Sequence, residues 1–328
     1  MLILVLAMSC SHEGTEGGSV PHGENRPMML RAMTRSETEV QSVTTDDTPV
    51  FIFWLDGYHS EFHETGAQPY FVSYPEGVID DYSSIPYNTG YPYPGSKMVY
   101  ANGYSPSDLI ADQSNGRLAW TSMLVPEDLL GSLDITSTEG FVQGNASSPF
   151  DASDSQTLIF KHQQSRVNFH ARLGEIPAER YFRTVRVTVN GKDIFTSRIA
   201  WNNDTKKYSA AETITEDVLW RATDPNTNQM DPNEIDPRNI GSVYLHPGQN
   251  QILFDIELEM SETATFDKYK TIKSSAKVDF IENSQNITLE AGDEYDIYIT
   301  ILYDSFVIKG NKAIWQDGGK IPLPFYPK

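Results

Sequence analysis

Apolar and polar side chains alternate with a period of two along much of the second half of the chain. Val167, Phe169, Ala171 and Leu173 share one parity, and Asn168, His170 and Arg172 take the other. Val185, Val187 and Val189 repeat the pattern and end at Asn190-Gly191, the preferred dipeptide of a two-residue hairpin turn. Phe254, Ile256, Leu258 and Met260 alternate with Asp255, Glu257 and Glu259. Tyr295, Ile297, Ile299, Ile301 and Tyr303 do the same further on. Successive side chains of a strand point to opposite faces, so each run predicts a strand with one dry and one wet face. Several short strands of this kind make a β-sandwich. Helix-period patterning is almost absent, and the pattern reads as an all-β fold.

The first half is less regular. Val50-Phe51-Ile52-Phe53-Trp54-Leu55 is a continuous apolar run closed by Asp56-Gly57, and predicts the first ordered strand. Further strands are expected at 97–100 and 117–123. Pro126-Glu127-Asp128 opens a short helix with acids suited to its N-terminal dipole. Between Pro69 and Tyr104, Tyr, Pro and Gly crowd together, which predicts loops and short edge strands. Residues 11–48 are polar and read as a flexible tether. A second polar stretch, 143–155, reads as a domain boundary. The expected organisation is a signal segment at 1–10, the tether at 11–48, a first β-sandwich at 49–150 and a second at 151–328.

Composition narrows the function. With 328 residues, two domains of ordinary size fit. The 17 Tyr, 15 Phe and 5 Trp favour half-buried pleated surfaces. A net charge of −20 repels phosphate backbones, so nucleic acid is excluded as a partner. Cys10 is the one cysteine, so no disulfide within the chain supports the fold. It follows Leu2-Ile3-Leu4-Val5-Leu6-Ala7-Met8-Ser9, and the end of that run resembles a bacterial lipobox. The resemblance implies cleavage before Cys10, acylation of its thiol and an outer-membrane lipid anchor; the alternative is a buried N-terminal strand with a free thiol.

The candidate chemistry is sparse. His59 and His63 stand four apart, but the segment follows a strand and reads as a solvated polar loop. Asp224, Asn226, Asn228 and Asp231 space oxygen atoms as calcium loops do. Gln229 stands where such a loop needs Gly, and Ile235 where it needs Glu, so this is a weak calcium candidate and no metal or other cofactor is expected. There is no Gly-x-Ser-x-Gly elbow and no phosphate-cradling glycine loop, and the chain does not read as an enzyme. The tyrosines from Tyr70 to Tyr104 offer an aromatic platform for sugars; their other reading is that they cover the ends of a sandwich.

Two stretches go beyond generic alternation. One is Leu158-Ile159-Phe160-Lys161-His162-Gln163-Gln164-Ser165-Arg166-Val167-Asn168-Phe169. The other is Ala291-Gly292-Asp293-Glu294-Tyr295-Asp296-Ile297-Tyr298-Ile299-Thr300-Ile301, followed by Ala313-Ile314-Trp315-Gln316-Asp317-Gly318. Both resemble the fimbrillin family of Bacteroidetes surface lipoproteins, over about residues 150–320. The resemblance implies two transthyretin-like β-sandwich domains in tandem, lipoprotein export, and removal of an N-terminal segment by an Arg-specific protease. Arg35, and after it Arg31, match such a processing site. Removing a first strand would leave a sheet edge and an apolar groove for a strand from another fimbrial subunit. The implied function is a fimbrial (pilus) subunit, or a tip or anchor adhesin, at the cell surface or in the fimbrium. The alternative is a non-polymerising, lipid-anchored protein that binds surface glycans. In the tail, Ile321, Leu323 and Phe325 alternate as a groove-filling strand would, but Pro322, Pro324 and Pro327 cannot donate ladder hydrogen bonds. His162 lies between apolar positions and reads as a structural hydrogen-bonding residue.

Overall fold

The structure is a computed structural model. It describes residues 27–35, 40–41, 49–55, 68–74, 87–114, 116–150, 157–174, 180–216, 218–221, 229–230, 236–282, 285–302 and 306–313. Cys10, His59, His63, Asp224, Asn226, Asn228, Asp231, Trp315 and the C-terminal tail lie outside these residues.

The regular structure of the described residues is almost entirely strand. From the N-terminus come β1 (Pro27–Arg35), β2 (Val40–Gln41), β3 (Val50–Leu55), β4 (Phe71–Ser73), β5 (Tyr87–Pro92) and β6 (Val99–Ser105). There follow β7 (Ile110–Ser114), β8 (Arg117–Leu124), β9 (Thr136–Thr138), β10 (Val142–Gly144), β11 (Thr157–His162) and β12 (Ser165–Leu173). The middle holds β13 (Tyr181–Gly191), β14 (Thr196–Asn202), β15 (Lys207–Thr213), β16 (Val218–Arg221), β17 (Gln229–Met230) and β18 (Arg238–Leu245). The last are β19 (Gln251–Ser261), β20 (Tyr269–Asp279), β21 (Ile281–Glu282), β22 (Gln285–Asn286), β23 (Glu294–Ile301) and β24 (Phe306–Ala313). The acids after Pro126 do open a helical turn, but it is a single 3₁₀ turn, Glu127–Leu129.

Four sheets carry the fold. The largest runs β2-β1-β11-β9-β6-β3-β4, with β10 also on β6 and β5 on β1; a second runs β15-β14-β8-β7. The continuous apolar run of β3 is explained by burial on both faces. Val50, Ile52 and Trp54 belong to one core, while Phe51 and Phe53 belong to another. On the first of these faces Tyr104 meets Tyr208 of the second sheet edge-on at 6.2 Å. Tyr208 Oη then donates to the carbonyl of Trp120 at 2.6 Å. Burial, followed by the charge of Tyr104, raises the Tyr208 pKa well above its ordinary value, so this phenol stays a donor.

The other two sheets run β18-β12-β23-β24 and β16-β13-β19-β20. Their facing sides are the predicted dry parities. Val167, Phe169 and Ala171 of β12 and Ile256 and Leu258 of β19 are fully buried, and Phe169 packs against Phe254 at 5.0 Å. β12 and β23 pair in parallel from Arg166↔Glu294 to Leu173↔Ile301. Parallel neighbours need a long connection, and here the whole of β13 to β22 supplies it.

The structure departs from the sequence pattern in four places. First, the stretch read as a tether contains β1 and β2: Met28 and Leu30 are 0% and 1% exposed, within Met28-Met29-Leu30, an apolar run too short to stand out in a polar stretch. Second, ladders cross residue 150: β11 pairs with β1 and β9, and β14 pairs with β8. Within the polar stretch, residues 145–148 form an Asn turn, with Asn145 Oδ1 accepting from the Ser147 and Ser148 amides at 2.9 and 2.7 Å. Third, Asn190-Gly191 does not close a hairpin. β13 runs through Gly191, which pairs with Val218 of β16, and the chain then leaves for another sheet. Fourth, the wet parity of β12 is not wet: Asn168 is 0% and His170 5% exposed.

Candidate functional site

β1 is tied to distant parts of the chain. Arg31 to Thr34 run parallel to Thr157 to Phe160 of β11, and Pro27, Met29 and Leu30 face Pro92, Asn88 and Tyr87 of β5. Its one near neighbour is β2, joined through Thr34↔Gln41 and Arg35↔Val40. Met28 and Leu30 enter a core formed by Phe51, Phe53, Tyr93, Phe150, Leu158 and Phe160 on one face of the large sheet. Phe53 and Phe150 meet edge-on at 6.3 Å, and Phe51 and Phe160 at 6.2 Å. Tyr93 Oη accepts the Phe150 amide at 2.6 Å, which anchors the loop before β11 over this core. Burying a side chain such as Met or Leu contributes roughly 1.5–3 kcal/mol, so these two residues hold β1 in place with several kcal/mol.

Gly103 marks how closely the sheet is packed behind this core. A Cβ there would lie 2.6 Å from the Val50 carbonyl oxygen and 3.1 Å from the Phe160 ring. Only Gly lets β6 approach so near.

The predicted processing residues both fall in β1. Arg31 pairs with Thr157 at the start of the ladder to β11, and Arg35 is the last residue of the strand. His162, expected to be structural, is 5% exposed and its Nδ1 lies 2.9 Å from Asp134 Oδ1, at the end of β11.

A second polar cluster escaped the sequence reading. Asn168 Nδ2 donates to Glu294 Oε1 and, at 3.1 Å, to Asp296 Oδ1; His170 Nε2 lies 2.8 Å from the same oxygen. Tyr298 Oη donates to Asp296 Oδ2 at 3.3 Å, and its ring stacks on His170 at 5.0 Å. Ser242 Oγ donates to Asn168 Oδ1 at 2.6 Å. The parallel register Asn168↔Asp296 and His170↔Tyr298 brings these groups together, and only that register could have shown it. Among the described residues no group of three or more His, Cys, Asp or Glu side chains is arranged to hold a metal.

Placed by its own geometry, this is an all-β chain of paired sheets whose first strand is held by non-local pairing. No family model matches the sequence, and no curated protein matches it. Several solved structures do. A candidate cell adhesion protein from Bacteroides ovatus is 14% identical, with 88% of this chain and 96% of that chain covered, at a TM-score of 0.45. Another from Bacteroides uniformis is 12% identical, covering 88% and 99%, at 0.46. The tip fimbrial protein Mfa3 from Porphyromonas gingivalis, with a C-terminal truncation, is 8% identical, covering 88% and 99%, at 0.39.

Proposed function

We propose that this chain is a fimbrial subunit, or a tip or anchor adhesin, exported as a lipoprotein through Cys10 and assembled by exchange of its first strand. The observation that carries this reading is the place of β1. It is a complete strand, most of its ladder is formed with segments more than fifty residues away, and it ends at Arg35. Cleavage after Arg35 would release the whole strand in one piece. Cleavage after Arg31, whose pair with Thr157 is the first of that ladder, would leave Ala32 to Thr34 paired with β11. This reading therefore prefers Arg35 over Arg31 as the processing residue.

Loss of β1 would strip the edge of β11 and uncover the places of Met28 and Leu30 among Phe51, Phe53, Tyr93 and Phe150. An unpaired edge beside an empty apolar groove recruits a strand that carries apolar residues at alternate positions. A second copy of the chain, or another fimbrial subunit, would supply it. The role is structural and adhesive, at the cell surface, and involves no catalytic step by the chain itself.

The test is treatment of the purified chain with an Arg-specific protease, followed by mass spectrometry and size-exclusion chromatography. The reading expects a new N-terminus at Ser36 and conversion of the cleaved chain to higher-order species, with Arg35→Ala resistant and monomeric. A chain that is cut after Arg35 yet stays monomeric and well folded would sink the strand-exchange reading.

A further inference from the structure

The tyrosine-rich stretch places a graded stack of rings at the edge of the large sheet. Phe53, 0% exposed, lies against Phe71 at 4.1 Å between ring centroids and 12° between planes. Phe71 in turn lies against Tyr91 at 4.1 Å and 18°. The stack thus runs from the core outward and ends at Tyr91, which is 47% exposed. Tyr70, 40% exposed, stands edge-on to the same Phe71 at 5.3 Å and 73°.

The terminal ring is held on two sides. One of its faces is covered by Phe71, and its backbone amide donates to Thr89 Oγ1 at 3.1 Å. Gly90, at φ +74°, sits in the register shift of β5 just before it, and donates its amide to Asn88 Oδ1 at 2.9 Å. A positive φ of this size is a conformation that Gly takes without strain. Tyr91 therefore rests one face on Phe71 and leaves the rest of its ring open to solvent.

We propose that Tyr91, backed by Phe71, with Tyr70 edge-on to the same Phe71, is a stacking platform for a neutral carbohydrate. A pyranose ring has an apolar face of C–H groups and a rim of hydroxyls. Tyr91 and Tyr70 match it with a flat apolar face and phenolic groups at the edge. The size of the patch selects a small ligand over a protein. An aromatic side chain offers about 150–250 Å² in all, so two half-exposed rings offer on the order of 200 Å². A stable protein interface needs roughly 800 Å² from each partner. Charge selects among sugars: a chain of net charge −20 repels carboxylated and sulfated glycans at long range. The proposal does not depend on strand exchange, since it concerns the intact chain with β1 paired to β5.

The test is a printed array of neutral oligosaccharides, ending in galactose, glucose, mannose or N-acetylhexosamine, beside sialylated and sulfated ones, probed with the intact chain. Titration calorimetry with the best neutral oligosaccharide follows. Binding to neutral members is expected, with a loss of about tenfold or more in Tyr91→Ala. Tyr91→Trp should retain binding, and Tyr269→Ala, at an exposed tyrosine on β20, should leave it unchanged. If thermal melting shows that Tyr91→Ala has lost its fold, Tyr91→Trp and Tyr70→Ala carry the comparison, the first retaining and the second weakening binding. No binding to any array member, binding to anionic members alone, or undiminished affinity in a folded Tyr91→Ala or Tyr70→Ala variant would overturn the proposal.

Discussion

Asn168 and His170 have the polarity of solvent-facing residues, and their alternation with Val167 and Phe169 gave no reason to read them otherwise. They are nonetheless buried, and the cost of burying them is met by Asp296, which accepts from Asn168 and bonds His170 and Tyr298. A buried polar group is tolerated when its partners are present and becomes expensive when one is removed. Asp296→Ala removes a partner from three side chains at once and should cost on the order of 2–4 kcal/mol of stability. Asp296→Asn keeps an acceptor oxygen and should cost less. Urea denaturation of both variants, compared at unchanged slope, measures the difference. Equal stabilities for the wild-type chain and Asp296→Ala would mean that the cluster supports nothing. The same cluster shows where one-dimensional reading stops: a polar parity means water only if nothing covers that face, and coverage depends on strands far apart in sequence.

Among the elements, the legible ones are those whose own side chains carry the full signal. β3, β12, β19 and β23 follow the apolar runs seen in the sequence, and β8 lies one residue from its predicted end. β1 was missed because its signal is two buried residues, Met28 and Leu30, inside a polar stretch, while its partners lie near residues 90 and 160. The β14–β15 hairpin was missed for a similar reason. It has no clean alternation, since its register shifts twice between Thr196 and Ile199. Its base is fastened by His246, whose amide donates to the Ile194 carbonyl at 2.8 Å and whose Nδ1 lies 3.2 Å from Thr196 Oγ1. Burial lowers the pKa of His246 below the ordinary histidine value. The folded chain therefore binds this proton less readily than the unfolded chain does. Stability is unaffected well above the unfolded value of about 6.5, falls as pH drops through it, and stops falling once pH is below the depressed folded value. Urea midpoints should thus decrease between pH 7.5 and roughly pH 5.5, and His246→Gln should flatten that part of the profile. Parallel profiles for the two proteins would show that this histidine does not couple to folding.

At the scale of the molecule, the sheets are interleaved in sequence. The sheet that faces the aromatic core of Trp54, Tyr104 and Trp120 is built from β7 and β8 of the first half and β14 and β15 of the second. Tyr208, at the centre of that contact, comes from β15, and Ser137 Oγ donates to its carbonyl at 3.2 Å. Lys207 at the start of the same strand bridges to Glu139, which also pairs with Lys161 at 2.9 Å. Burial raises the Glu139 pKa, but the hydrogen bond and charge of Lys161 and those of Lys207 outweigh it and lower it overall, so this link stands at neutral pH. A chain cut at the polar stretch 143–155 would lose β11 from the large sheet and two strands of four from the sheet facing it. What remains would expose Trp54, Tyr104 and Trp120, all under 10% exposed in the intact chain. Below a sufficient buried apolar area a chain cannot offset the entropy of ordering its backbone. A fragment of residues 27–150 should therefore be unfolded or aggregated, with no cooperative thermal transition by near-ultraviolet circular dichroism. Adding residues 157–162 as a linked strand should not rescue it, because β14 and β15 would still be missing. Co-expression with a fragment of residues 151–328 should restore a cooperative transition and a stable complex, since every ladder that crosses residue 150 could then form. Independent cooperative folding of 27–150 would show instead that the first set of sheets is complete without the hairpin, and that the two halves are separable units.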